Sequence, residues 1–327
     1  MSRRESNETT KAVLPILGVD IGGTKISVAV GSAAGEILAS ERFPSEVDKG
    51  PDYAMDRIAL AVARLTRNMT IHDTVGVSAP GPLSSRDGIF LNPPNMPGWF
   101  EFPVKAALEK RLGLKVRLMN DANAAAAAEW FFGAGRGMET IVFLTMSTGM
   151  GAGLIIGGRL HEGLDDMAGE IGHIRVASDG PVGFGRRGSI EGFCSGPGLA
   201  QLAVMKLIQA RHAGISSLLL NLGKDFRLVD AKDVGDAADK GDRVAREVFA
   251  ECGRKLGEFC AMITDVLNPE AIILGTIGRI HEDLIIPPAR AELDRLAHPR
   301  AAARVKILPA ALGERTGDLA AICAAVA

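Results

Sequence analysis

Cysteine, excess charge and long apolar runs are all scarce in this sequence of 327 residues. There are four cysteines and no C-x-x-C spacing, so we expect buried free thiols in a reducing cytoplasm rather than a disulfide framework. The formal net charge of -2 argues against a nucleic-acid binder that neutralises phosphates. No uncharged run of about 18 apolar residues is present, so no membrane span is expected. These absences predict a cytoplasmic protein that binds neither nucleic acid nor membrane.

The chain has the composition of a soluble globular protein, with 47% hydrophobic and 23% charged residues. Its length is enough for two domains of ordinary size. Residues 1–12 are polar and mixed in charge, which predicts a disordered tail rather than a signal peptide.

Two glycine-rich turns, each between apolar runs, are the most informative feature. The first is Asp20-Ile-Gly22-Gly23-Thr24-Lys25, and the second is Ser147-Thr148-Gly149-Met-Gly151-Ala-Gly153. Backbone N–H groups of a glycine turn can approach a phosphate closely because no Cβ intervenes. Two strand–turn–strand units, a domain's length apart, predict a duplicated fold with a nucleotide between its halves. The alternative is a pair of ordinary hairpins.

Predicted strands alternate with predicted helices, which indicates an α/β architecture with central sheets. Ligands of such sheets bind beyond the carboxyl ends of the strands. The polar and glycine motifs fall at predicted strand ends, so we expect one shared cleft. Residues 163–198 are predicted to form a long glycine-rich loop, and the elements predicted after strand 271–275 are a strand at 305–308 and a helix at 318–325.

The segment Asn120-Asp121-Ala-Asn123 lies between a predicted strand and an alanine-rich predicted helix. A carboxylate there is well placed to accept a proton from a sugar hydroxyl, and such general-base catalysis contributes about 10²–10⁴-fold. Helix capping is an equally good explanation, because Asp and Asn are common at helix starts.

A second polar group consists of Glu170 and His173 in Gly169-Glu-Ile-Gly-His173, followed by Glu191. Carboxylates and an imidazole suit the vicinal hydroxyls of a sugar, each of which donates and accepts hydrogen bonds. Solvated loop charges are the alternative.

Together these motifs resemble the ROK family of sugar kinases and sugar-responsive repressors, within the hexokinase–actin ATPase superfamily. The resemblance runs from about residue 14 to the C-terminus, and its motifs are Asp20–Lys25, Pro80-Gly81, Pro94-Asn95, Asn120–Asn123, Thr148–Gly153, Gly169–His173 and Gly275.

The resemblance implies a two-domain actin-like ATPase (ribonuclease H-like) α/β fold, with duplicated lobes around a central cleft. The expected lobes are 13–119 and 120–313, with a C-terminal helix, 314–327, packing back on the first. The resemblance also implies ATP-dependent phosphorylation of a hexose, with Mg²⁺, at the 6-hydroxyl of glucose or a related sugar. A homodimer is expected, as is usual in the family.

The resemblance further assigns roles to individual residues. Asp121 matches the catalytic base. The matching sugar-binding residues are Asn95, Asn120, Glu170, His173 and Glu191. The matching nucleotide-binding residues are Asp20, Gly22, Gly23, Thr24, Lys25, Thr148, Gly149 and Gly275.

The chain departs from the family at its structural zinc site. Most members have three cysteines there, whereas this chain has Val182, Phe184 and Ser189. Zinc prefers thiolate and imidazole ligands, so we predict that none binds. His173, which would share the metal in the family, then needs another partner for its second ring nitrogen, and packing by Val182 and Phe184 is one possible substitute for the metal. Ser147 also stands where the family usually has glycine.

Three other functions remain open. A repressor of the family carries a helix-turn-helix domain, whereas only about a dozen residues precede the first predicted strand here. A non-catalytic sugar sensor would keep the Glu/His group and lose the base or a glycine turn, and this chain has both. A kinase that uses polyphosphate instead of ATP would call for a basic track along the cleft.

Overall fold

The structure is a computed structural model that describes residues 14–326. The tail predicted at 1–12 lies outside the described residues. The strands are β1 (Ile16–Ile21), β2 (Lys25–Gly31), β3 (Ile37–Pro44), β4 (Thr74–Ala79), β5 (Leu83–Ser84), β6 (Ile89–Phe90), β7 (Lys115–Asn120), β8 (Ile141–Leu144), β9 (Ala152–Ile156), β10 (Arg159–Leu160), β11 (Val182–Gly183), β12 (Arg186–Arg187), β13 (Ala271–Leu274) and β14 (Lys306–Pro309). The helices are α1 (Pro51–Leu65), α2 (Val104–Leu112), α3 (Asp121–Phe132), α4 (Ile190–Cys194), α5 (Gly196–His212), α6 (Ala231–Asp239), α7 (Arg243–Leu267), α8 (Thr276–Ile280), α9 (Glu282–Leu296), α10 (Pro299–Ala302) and α11 (Thr316–Ala324).

The described chain divides into two compact units. The first contains the residues up to Met119 and those from Gly317 onward, and the second is Asn120–Thr316. Each unit has a five-stranded sheet, in the order β3-β2-β1-β4-β7 in the first and β10-β9-β8-β13-β14 in the second. In both sheets the first three strands of the unit form an antiparallel meander, and the next strand pairs parallel with the first one. The two units therefore repeat one strand plan.

The core of the first unit is formed by apolar side chains of its sheet and of α1 and α2. Helix α11 also belongs to this unit although it lies at the far end of the chain. Its Asp318 is almost fully buried and accepts hydrogen bonds from Ser27 Oγ on β2 (2.6 Å) and Arg42 Nη2 on β3 (2.8 Å). An unpaired buried charge would be costly, and these two hydrogen bonds compensate the burial of the Asp318 carboxylate.

The sheet of the second unit is covered by apolar residues on both faces. Along β8, Ile141 and Phe143 join one cluster with alanines of α3, whereas Val142 and Leu144 join another with α5, α7 and α9. This alternation follows from the two-residue period of a strand, and burial on both faces explains why β8 and β13 are apolar throughout.

Two parts of the second unit differ from the sequence predictions. The stretch predicted as a loop at 163–198 contains the β11–β12 hairpin and α4, and α5 begins at Gly196. Helix α9 was not predicted, because it contains Pro287 and Pro288, residues that normally interrupt helices.

In the described part of the chain, no helix combines the length and apolarity that crossing a membrane needs. The four cysteines are buried and unpaired, as predicted.

Candidate active site

The first glycine turn joins β1 to β2 and packs against a loop predicted to flank the sugar. Its backbone is fixed because Gly22 N–H donates to Lys25 O (2.9 Å) and Ser45 Oγ donates to Gly22 O. A Cβ on Gly23 would come within 2.7 Å of Asn95 O, so only glycine permits this approach. Thr24 and Lys25 are exposed at the turn. The structure thus brings the glycine turn and Asn95 together within one unit.

Asp20 is the penultimate residue of β1, beside this turn. Its Oδ1 accepts a hydrogen bond from Ser78 Oγ on β4 (2.9 Å). Burial raises the pKa of the Asp20 carboxyl, and the hydrogen bond from Ser78 opposes that shift. Asp318 raises the Asp20 pKa further, whereas Lys25 lowers it. Asp20 therefore sits in a shielded position next to the turn amides, with a cationic side chain close by.

The start of α3 holds Asn120 and Asp121. Asn120 is the N-cap, and its side-chain oxygen accepts hydrogen bonds from the amides of Ala122 (2.9 Å) and Asn123 (3.4 Å). The capping explanation is therefore correct for Asn120. Asp121 is exposed, and its Oδ1 also accepts from Ala122 N–H (2.8 Å), which orients the carboxylate at the helix terminus.

The second glycine turn contacts the side chain of Glu191. Met150 N–H in the turn donates to Glu191 Oε2 (3.0 Å), and a Cβ on Gly149 would lie 2.9 Å from the same oxygen. Burial raises the pKa of the Glu191 carboxyl, while hydrogen bonds from the backbones of Met150 and Phe184 lower it. Glu191 and Gly149, which are 42 positions apart in the sequence, are thus direct neighbours.

Glu170 and His173 lie on a loop that is tied to β9. Gly169 accepts hydrogen bonds from Ala152 N–H (2.8 Å) and Ile171 N–H (2.7 Å), so the loop starts against the strand. Glu170 Oε2 lies 3.8 Å from His173 Nε2, and about half of each side chain is exposed. The pair is therefore available to a ligand, with the two groups close to each other.

Gly275 lies at the end of β13, near the base of the second glycine turn. Its N–H donates to Leu144 O (2.7 Å), and it is the N-cap of α8. Ser147, the unusual residue of the turn, is accommodated by backbone bonds: its N–H donates to Gly149 O (2.9 Å) and its carbonyl accepts from Gly196 N–H (2.8 Å). Thr148 is exposed at the tip of the turn.

Comparison with known proteins identifies the family of the chain. The model of the ROK family matches residues 16–326. The chain belongs to the ROK family. It is similar to the glucokinase of Thermotoga maritima, with 34% identity over 94% of this chain and 96% of that one. It is similar to the glucokinase of Halalkalibacterium halodurans, with 33% identity over 92% of both chains.

A solved structure extends the ROK assignment to three dimensions. It is a ROK family glucokinase from Streptomyces griseus in complex with glucose and AMPPNP, with 33% identity, a TM-score of 0.78, and coverage of 95% of this chain and 98% of that one. The predicted family and the predicted actin-like α/β fold are thereby confirmed. The homodimer, the cytoplasmic location and the magnesium requirement stay predictions.

The zinc site of the family cannot be assembled from the residues of this ROK protein. Phe184 stacks on His173, with ring centroids 4.0 Å apart and ring planes at 17°. Ser189 is fully buried and already bonded, since it donates to Gly183 O (3.3 Å) and accepts from Gly192 N–H (3.2 Å) as the N-cap of α4. Among the described residues, no group of three or more His, Cys, Asp or Glu side chains is arranged to hold a metal ion.

Sequence reasoning missed two supporting residues of the first unit, Ser78 and Asp318. Ser78, on a different strand, donates a hydrogen bond to Asp20, and the negative charge of Asp318 raises the pKa of Asp20. An aspartate in the otherwise alanine-rich helix α11 was a usable signal, because an acidic residue on a buried helix needs a partner. Ser78, in the apolar strand β4, gave no comparable signal.

Proposed function

We propose that this ROK protein transfers the γ-phosphoryl group of ATP to the 6-hydroxyl of glucose or a related hexose, with Asp121 as the general base. The family and the similar glucokinases establish the coarser class: the protein is a sugar kinase. The observation that carries the finer proposal is the exposed Asp121 carboxylate, oriented by the Ala122 amide at the start of α3.

Phosphoryl transfer requires positioning and charge stabilisation more than covalent chemistry by the protein. Asp121 takes the proton of the sugar hydroxyl as its oxygen attacks phosphorus. The hydrogen bond from Ala122 N–H holds Oδ1 in place, so the carboxylate is oriented before the sugar arrives. The fixed orientation lowers the entropy cost of reaching the reactive geometry.

We assign sugar binding to Glu170, His173 and Glu191, with Asn120 and Asn95 as further contacts. Glu191 and Glu170 accept hydrogen bonds from sugar hydroxyls, and His173 either donates or accepts. The cap occupies Oδ1 of Asn120, so its Nδ2 amide is the group that donates to a sugar oxygen. Asn95 belongs to the first unit, where it touches the first glycine turn.

The two glycine turns are assigned to the phosphates of ATP. In the first, the Gly23 amide, the Thr24 hydroxyl and the Lys25 ammonium donate to phosphate oxygens, and Gly22 shapes the turn through its bond to Lys25 O. In the second, Thr148 and Gly149 do the same. Gly275, at the end of β13, is assigned to the adenosine side of the nucleotide.

Asp20 suits magnesium, because it is a carboxylate at a strand end beside the phosphate turn, and hard cations prefer oxygen ligands. It would hold the ion through water. The ion would neutralise charge on the phosphates, and the chain itself supplies the turn amides and the Lys25 cation for the same purpose.

A coupled ADP-release assay with ATP, Mg²⁺ and a panel of hexoses and hexosamines tests the proposal. We expect sugar-dependent ADP release with at least one hexose. Sugar binding by calorimetry without ADP release from any of them would instead support the sensor function. Turnover with polyphosphate but not with ATP would overturn the assignment of the donor.

A further inference from the structure

The β11–β12 hairpin presents an aromatic ring where the family has a zinc ligand. Val182 pairs with Arg187 and Gly183 with Arg186, so Phe184 and Gly185 form a two-residue turn. Both turn residues have positive φ, 50° for Phe184 and 69° for Gly185. Such turns favour Asn-Gly or Gly-Gly, because their left-handed conformation is unfavourable for a residue with a bulky side chain.

Phe184 is therefore an unusual residue for its position. The residue is 47% exposed, so burial of apolar surface does not explain its presence. Its ring instead lies flat on the His173 imidazole, at 4.0 Å and 17°. A strained backbone at a candidate site points to a functional reason for the residue that bears it.

Phe184 also contacts Glu191, because its backbone donates a hydrogen bond to the Glu191 carboxylate. The hairpin tip thus contacts two of the three ionisable side chains assigned to the sugar. His173 is also next to the third, Glu170, at 3.8 Å.

We propose that Phe184 is a positioning residue for sugar binding: its ring fixes the plane of the His173 imidazole, as metal ligation would otherwise do. The inference rests on the proposed role of His173 in binding the sugar. It predicts that the aromatic ring, and not the fold of the hairpin, is what sugar binding requires.

The test compares substitutions that separate the ring from the backbone strain. Phe184→Asn and Phe184→Gly suit the left-handed turn and remove the ring, whereas Phe184→Tyr keeps the ring and the strain. We expect F184N and F184G to unfold at or above the wild-type temperature, yet to raise the sugar KM about tenfold with a smaller change in kcat. F184Y and the hairpin control Val182→Ala should keep the wild-type sugar KM.

Stacking itself is tested without activity, by NMR of protein labelled at its histidine rings. A ring stacked on phenylalanine has its proton signals shifted upfield, and the His173 signal is identified by its loss in His173→Gln. We expect that shift to persist in F184Y and to disappear in F184N. An unchanged His173 signal in F184N, or an unchanged sugar KM, would overturn the proposal.

The two proposals fail in different ways. If H173Q leaves the sugar KM unchanged, the sugar-binding role of His173 is wrong, whatever Phe184 does. If H173Q raises the sugar KM and F184N does not, the role of His173 stands and that of Phe184 is wrong.

Discussion

Asp121 and Asn120, neighbours at the start of α3, are proposed to have different roles. Substitutions at each position should separate the effect on catalysis from the effect on stability. Asp121→Asn keeps the shape of the side chain and the oxygen that accepts from Ala122 N–H (2.8 Å), but an amide cannot take the hydroxyl proton. We expect kcat to fall by at least about 10²-fold, the lower end of the range for general-base catalysis. That loss corresponds to about 2.7 kcal/mol of barrier height.

The stability of D121N should change little. The side chain is exposed, and the interaction of its carboxylate with the helix N-terminus contributes about 0.3–1 kcal/mol. Asn120→Ala instead lowers stability, and it also removes the Nδ2 donor assigned to the sugar. It removes the cap oxygen that serves Ala122 and Asn123, which costs about 1 kcal/mol of unfolding free energy. For a unit of about 200 residues this lowers Tm by about 2–4 °C.

Asn120→Asp is the matched control for the cap, because it keeps a capping oxygen and replaces the Nδ2 donor with a carboxylate oxygen. We expect N120D to keep the wild-type Tm and to raise the sugar KM. Calorimetric unfolding and ADP-release kinetics on the three variants measure both properties. Near wild-type kcat in D121N would remove Asp121 from its role, and an unchanged Tm in N120A would refute the capping argument.

Three further predictions concern the second glycine turn and the metal. Gly149→Ala should displace Glu191, whose oxygen lies 2.9 Å from the new Cβ, and lower kcat/KM for the sugar about 10–100-fold through loss of a charge-assisted hydrogen bond. Gly151→Ala is its control, since the nearest atom to that Cβ is 3.7 Å away, and it should keep the wild-type sugar KM. Because burial raises the pKa of Glu191, kcat/KM for the sugar should be constant above that raised pKa and fall as pH drops through it, an acid limb that Glu191→Gln should shift to lower pH. Metal analysis of the purified protein should find no stoichiometric zinc. One zinc per chain would contradict the prediction that this protein lacks the zinc site of the family.

Much of the sheet structure was predictable from local sequence. Strands β1, β2, β8 and β13 are short apolar runs that end at glycine or at a polar motif, and such limits are readable from sequence alone. Helix α9 was missed because Pro287 and Pro288 argue against a helix locally, whereas packing against α7 in the core of the second unit stabilises it.

The candidate site was only partly predictable. Its charged residues were found because polar groups in glycine-rich segments are unusual, and the order of the motifs resembles that of a known family. The bond of Ser78 to Asp20 joins residues 58 positions apart, and that of Ser27 to Asp318 joins residues 291 apart. The stacking of Phe184 on His173 depends on a left-handed backbone at Phe184, which no local pattern predicts.

The most direct test of the central claim is to identify the product. The enzyme is incubated with ATP, Mg²⁺ and the best hexose of the panel, and the phosphorylated carbon is assigned by phosphorus–carbon coupling in NMR spectra. We expect a hexose 6-phosphate, formed by the wild-type protein and at least about 10²-fold more slowly by D121N. Phosphate at another carbon, or ATP hydrolysis without a sugar phosphate, would contradict it.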